Sequence, residues 1–264
     1  MTAELHITTA LRNGVTHLKN AFFTTPLKVA NITEDKTAAT LQLMLTSSSP
    51  GILDGDEYKI KIELEPGSSL QLQTQSYQRL YHMKQGASQQ MEVHMAEGSH
   101  FCFLPHPSVP HEASSFVTRN KFYLSDHSRL IFGEVLTCGR KLNGEVFLFS
   151  KYHSITEVFV KEKLVIKENL LMKPSAIDVN AIGQLEGYTH QASLLYLDEK
   201  VKIKLLAPLI SELLAQQNDI DFGITAAPKN GLIIRILGQK AGQLHDCLKE
   251  IALLCESSKS PVTC

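Results

Sequence analysis

Six of the eleven histidines, His82, His94, His100, His106, His111 and His127, fall between positions 82 and 127. Imidazole suits nickel, zinc and copper, so a metal site could be built from such a group. A cupin-type barrel site would set two histidines one residue apart on one strand face beside a carboxylate, and no His-x-His occurs. His106-Pro107-Ser108-Val109-Pro110-His111 instead carries two imidazoles on a loop whose freedom two prolines restrict. His106 and His111 are therefore candidate ligands; the alternative is that each is an ordinary surface or hydrogen-bonded histidine. A second candidate is Pro50-Gly51-Ile52-Leu53-Asp54-Gly55-Asp56-Glu57, which crowds carboxylates around a glycine. Asp54 and Asp56 could offer oxygen to a divalent cation, or could simply build a solvated turn. The third is Gly139-Arg140-Lys141-Leu142-Asn143-Gly144-Glu145, where Arg140 and Glu145 could form an ion pair across a tight connection.

Other chemistry is missing. The chain has no Gly-x-x-x-x-Gly-Lys-Ser/Thr phosphate loop, no Gly-x-Gly-x-x-Gly, and no His-Glu-x-x-His, Cys-x-x-Cys or Gly-x-Ser-x-Gly. With 26 basic and 27 acidic residues in 264 and no run of Lys or Arg, it does not read as a nucleic-acid binder. Its longest apolar runs, 205–210 and 231–237, fall short of the ~20 residues that span a bilayer, and the first 25 residues lack the pattern of a secretory signal. Five widely spaced cysteines fit reduced thiols better than a disulfide framework, so a cytoplasmic protein without membrane contact is expected.

The elements that must carry these residues are mainly strands. In Tyr58–Glu65 the apolar residues share one parity and the charged residues the other, as in a strand with one face on a core. Pro66-Gly67-Ser68-Ser69 reads as a turn and Leu70, Leu72 and Thr74 resume the alternation, which predicts a hairpin. Residues 41–45, 91–95, 130–136, 146–149, 157–160, 164–166 and 194–197 are further strand candidates, and no internal repeat is evident. Two segments read as helix. One begins at Pro208, followed by Leu209, Ile210, Leu213 and Leu214; the other covers 240–255 with Leu244, Leu248, Ile251, Ala252 and Cys255 as its apolar stripe. Between them Asn230-Gly231 signals a hairpin joining 220–227 to 232–237. The expected fold is a mainly β single domain over 1–264, an extended β-helical or sheet body with two helices near the C-terminus and a disordered tail at 257–264.

Five segments in this order and spacing resemble the UreD/UreH family of urease accessory proteins. They are Ser49-Pro50-Gly51-Ile52-Leu53-Asp54-Gly55-Asp56, Thr74-Gln75-Ser76-Tyr77-Gln78-Arg79-Leu80-Tyr81, Leu104-Pro105-His106-Pro107-Ser108-Val109-Pro110, Gly139 to Glu145, and Leu232 to Gly238 with Arg235 inside it. Ser-Pro replaces the usual Gly-Gly of the first, Arg79 a lysine in the second, and His106 a frequent glutamine in the third. The resemblance implies a non-enzymatic scaffold in nickel delivery with a β-helical body. It also implies binding to the helical accessory protein UreF, through it to the GTPase UreG, and to apo-urease, with a dimer in the complex. No tightly bound cofactor is implied, nickel being an ion passed on. The family's internal nickel tunnel would need polar residues in an apolar interior, for which Asp54, Asp56, Glu134 and Glu145 are candidates, with His106 and His111 as added nitrogen donors. The competing expectation is a β-barrel metalloenzyme or small-molecule binder built on His106, His111 and a carboxylate.

Overall fold

A computed structural model describes residues 1–257. The chain runs β1 (Thr2–Arg12), β2 (Val15–Phe23), β3 (Leu27–Asn31), β4 (Thr40–Ser47), β5 (Glu57–Leu64), β6 (Ser69–Thr74), β7 (Gln78–Leu80), β8 (Ala87–Met95), β9 (His100–Phe103), β10 (Ser108–Pro110), β11 (Ser115–Leu124) and β12 (Arg129–Thr137). It continues with β13 (Lys151–Val160), β14 (Lys163–Met172), β15 (His190–Asp198), α1 (Ile203–Ala215), β16 (Ile220–Ala227), β17 (Gly231–Gly238) and α2 (Ala241–Ser257).

The strands form a seven-stranded sheet, ordered β14-β13-β11-β8-β5-β1-β2, and a ten-stranded sheet whose main path is β16-β17-β15-β12-β9-β6-β4-β3. From β4 to β13 the chain passes back and forth between the two. β5, β8, β11 and β13 stack in parallel in one sheet, and β4, β6, β9 and β12 in the other. Each crossing pair is one coil of a β-helix, capped at both ends by antiparallel strands.

Two sequence expectations fail here for one reason. β5 and β6 do not form a hairpin: Pro66-Gly67 is a coil corner that sends the chain from one sheet to the other. That corner recurs. Gly67, Gly98 and His127 all take positive φ, at 71°, 66° and 58°. Each is followed by a buried serine, Ser68, Ser99 or Ser128, whose N–H bonds back to Glu65, Ala96 or Ser125. Gly67 N–H donates to Glu97 O and Gly98 N–H to Asp126 O, so successive corners are hydrogen-bonded to each other. Beyond them Leu70, Phe101 and Leu130 align in register and are fully buried. The chain therefore has a repeating coil of about thirty residues, which solenoid physics favours because each coil buries its face on the next.

The core has two compartments. One fills the space between the sheets; the other lies between the outer face of the ten-stranded sheet and the two helices. β12 serves both, with Leu130, Phe132 and Leu136 facing inward and Ile131 and Val135 facing the helices, so it lacks alternation. Gly133 is what lets α2 come close, since a Cβ there would lie 2.9 Å from Leu248 Cδ1. The α2 stripe is as expected, with Leu244, Leu248, Ile251, Ala252 and Cys255 all buried, and β16 and β17 form the expected hairpin.

Three boundaries differ. α1 starts at Ile203 and holds Pro208 inside, where the ring faces solvent and the helix forgoes one bond; Leu206, Ile210 and Leu214 are its buried stripe. Residues 146–149 are not a strand, because Phe147 takes φ 56°. Of the expected tail, Ser257 ends α2 and 258–264 lie outside the described residues. Among the described residues no helix is long and apolar enough to cross a membrane.

Candidate functional site

Inside a coil, the inward parity should be apolar, yet β11 puts Thr118 and Asn120 there and β13 puts Ser154 and Thr156 there, all buried. Across from them, β12 puts Glu134 on the same parity as Phe132 and Leu136. Of these, Thr118, Asn120 and Glu134 line a cavity of about 60 Å³ between the sheets, together with Gln78, Gln89, His106, Ser108 and Tyr152. A volume of this size holds water or an ion, and its walls carry polar partners for either. Ser154 Oγ lies 3.0 and 2.9 Å from the two Glu134 carboxylate oxygens, and Asn120 donates to Thr156 Oγ1 at 3.2 Å. Burial nevertheless dominates, lifting the Glu134 carboxyl to about 7. The carboxyl therefore changes its protonation near neutral pH.

His106 sits in the loop after β9, where Thr74 fixes it twice: its N–H donates to Thr74 Oγ1 at 2.9 Å and its Nδ1 lies 3.0 Å from the same oxygen. Its ring packs against that of His245 on α2, with centroids 4.9 Å apart. Burial holds both imidazoles below their ordinary value, with nearby Lys249 pushing the same way.

The remaining sequence candidates occupy coil corners. Asp54 is exposed and accepts the N–H groups of Gln85 and Gly86 at 2.8 and 3.0 Å, joining two corners; the Gln85 bond is the main cause of its lowered pKa. Asp56 is buried and closes its own corner through Leu53 N–H at 2.9 Å, while its other oxygen meets the amino group of Met1 at 3.2 Å. Glu145 pairs with Arg140 through both oxygens and accepts Glu112 N–H at 3.2 Å; the Arg140 hydrogen bond chiefly lowers its pKa. The Arg140–Glu145 pair therefore exists, but Arg140 is exposed and Asp56 has other partners. His111 is buried against Tyr81, with ring centroids 4.8 Å apart, and burial is the main cause of its lowered pKa. So the structure brings Glu134 and His106 to one cavity, and does not gather the rest there. Among the described residues no three His, Cys, Asp or Glu side chains are grouped to hold a metal ion.

The corner pair sets a modest expectation. Glu145→Gln should cost at most about 1 kcal/mol at neutral pH, because Arg140 is half in water. Since pairing depresses the Glu145 pKa, that contribution is present above the ordinary carboxylate range and fades as pH falls below it. Urea unfolding of both proteins at pH 7 and pH 3 checks this. A loss of several kcal/mol would show that the pair anchors the coil.

Sequence comparison places the whole molecule. The family model described as UreD urease accessory protein matches residues 1–262. A urease accessory protein UreD of Flavobacterium johnsoniae is 47% identical over 252 residues, covering 95% of this chain and 91% of the relative. Those of Acetivibrio thermocellus and Haemophilus influenzae (strain PittGG) are each 33% identical, covering 94% and 97% of this chain and 95% and 100% of the relative. The role is one in urease maturation, carried out with other maturation factors and without catalysis by the chain itself. A match along nearly its full length to proteins of that kind means that the chain belongs to the UreD family of urease accessory proteins.

Proposed function

We propose that the chain is a cytoplasmic scaffold that binds UreF, recruits UreG through it, and delivers nickel to apo-urease by a path through the β-helix interior. Nickel is cargo in this reading, held in passing rather than as a resident cofactor. The observation that carries the path is the polar cavity between the sheets with Glu134 in its wall. An interior carboxylate without a charged partner is costly and offers an oxygen donor where an ion would otherwise meet only apolar walls. Glu134 and His106 are the interior positions; Asp54, Asp56, Glu145 and His111 hold the corners around them. The four cysteines among the described residues are free and buried, which suits a reducing compartment.

UreF binding is assigned to the helical layer. Leu205 and Leu209 are one turn apart on α1 and 65% and 50% exposed, and Leu253 on α2 is 65% exposed. Such side chains are what a helical partner would cover, and a dimer of the complex would form through UreF. Leu205→Asp with Leu209→Asp should reduce co-purification with UreF at least tenfold. The thermal midpoint should stay near that of the parent, since neither side chain is in the core. Undiminished capture by the folded double variant would remove α1 from the interface.

A further inference from the structure

We propose that His106 and His245 form a two-imidazole position for one divalent transition-metal ion beside the Glu134 cavity. The two residues are far apart in the chain, on the β9–β10 loop and the second turn of α2, and meet because α2 packs on the ten-stranded sheet. Their ring centroids are 4.9 Å apart. Metal–nitrogen bonds of about 2.0–2.1 Å with ligand angles between square and tetrahedral place two imidazole centroids roughly 4.5–5 Å apart, so the pair has the spacing of shared ligation.

The hydrogen bonds leave the appropriate atoms. His245 Nε2 lies 3.4 Å from Leu104 O. A carbonyl only accepts, so the proton is on Nε2 and the lone pair on Nδ1. His106 Nδ1 lies 3.0 Å from Thr74 Oγ1, and in the tautomer whose Nδ1–H donates to that hydroxyl the lone pair is on Nε2. Each ligand nitrogen thus has an orienting partner behind it, the arrangement that fixes metal-bound histidines. His106 also lines the cavity that holds Glu134, so an ion at the pair would stand against its wall. The nearby charges are Lys249 and Asp246, paired with each other at 3.2 Å on α2. The ammonium opposes a cation and keeps binding weak enough for release, as an ion in transit requires.

The identity of the ion as nickel rests on the delivery reading above, whereas the pair itself rests on geometry. The test is a titration of the full chain with nickel chloride, following imidazole signals by NMR, since paramagnetic Ni(II) broadens the rings it binds. The signals of His106 and His245 should broaden at or below one equivalent, ahead of those of the exposed His17 and His127. His106→Asn and His245→Asn should each weaken nickel binding at least tenfold by calorimetry, while His17→Asn, at an exposed histidine outside the pair, leaves it within twofold. Equal broadening across the exposed histidines, or unchanged binding in the double Asn variant, overturns the pair. If the pair fails yet Glu134→Gln abolishes urease activation, the interior path stands without it. If the pair binds as described and His106→Asn, His245→Asn and Glu134→Gln all activate urease normally, the site is confirmed and the delivery path is wrong.

Discussion

Glu134→Gln should stabilise the folded chain at pH 8 by up to roughly 3 kcal/mol, and at the same time lower urease activation at least tenfold. The stability half follows from burial. The carboxyl is lifted from 4.5 to about 7, and at ~1.4 kcal/mol per tenfold change in proton affinity the ionised form costs the fold roughly 3 kcal/mol. Between those values the folded chain holds a proton that the unfolded chain has lost, so stability falls as pH rises through this window. Below pH 4.5 both states are protonated and the cost vanishes; above 7 it is complete. Glutamine removes the charge, keeps the shape and can still bond to Ser154. The gap in melting temperature should be near zero at pH 4 and reach on the order of 6–12 °C by pH 8. A variant less stable than its parent at pH 8 would mean that the carboxylate holds the coil together, and the transit reading would lose its support.

A side chain that weakens the fold at working pH, at a position where an apolar or amide residue would fit, asks for a functional reason. The same logic covers the inward-facing Thr118, Asn120, Ser154 and Thr156, which trade apolar burial for a polar lining. That lining was legible in the sequence. In Phe116-Val117-Thr118-Arg119-Asn120-Lys121-Phe122, Thr118 and Asn120 share the parity of Phe116 and Phe122, and Ser154 and Thr156 likewise share that of Tyr152 and Val158. Polar residues on a buried parity mark a wet interior. His245 was harder to see because it borders an apolar helix stripe that reads fully as core, and its partner His106 is reached only through tertiary packing.

Strand content, the β16–β17 hairpin and the α2 stripe were readable because each depends on local periodicity or a two-residue turn. Sheet membership was not. Alternation says which face of a strand is buried and nothing about its partner, so Pro66-Gly67 looks the same at a hairpin and at a coil corner. The coil repeat leaves little trace in the sequence for a related reason: its corners require only a residue tolerant of positive φ followed by a small buried one. Gly67-Ser68, Gly98-Ser99 and His127-Ser128 meet that need with little identity beyond the serine.

The coil arrangement also predicts where damage spreads. Phe122→Ala should destabilise the chain by about 3–5 kcal/mol, the usual cost of emptying a fully buried aromatic site. Phe122 projects from the seven-stranded sheet onto Phe132 and Phe101 of the other, with centroids 4.9 and 6.4 Å away, so it ties the two walls of the coils together. Phe122→Leu keeps most of the volume and should cost only about 1–2 kcal/mol. Because each coil touches only its neighbours, native-state hydrogen exchange should show protection falling first in β8, β9, β11, β12 and β13, with the β1–β2 end less affected. Loss of protection to the same extent in every strand would show that the coils open as one unit and that neighbour-by-neighbour coupling does not describe this fold.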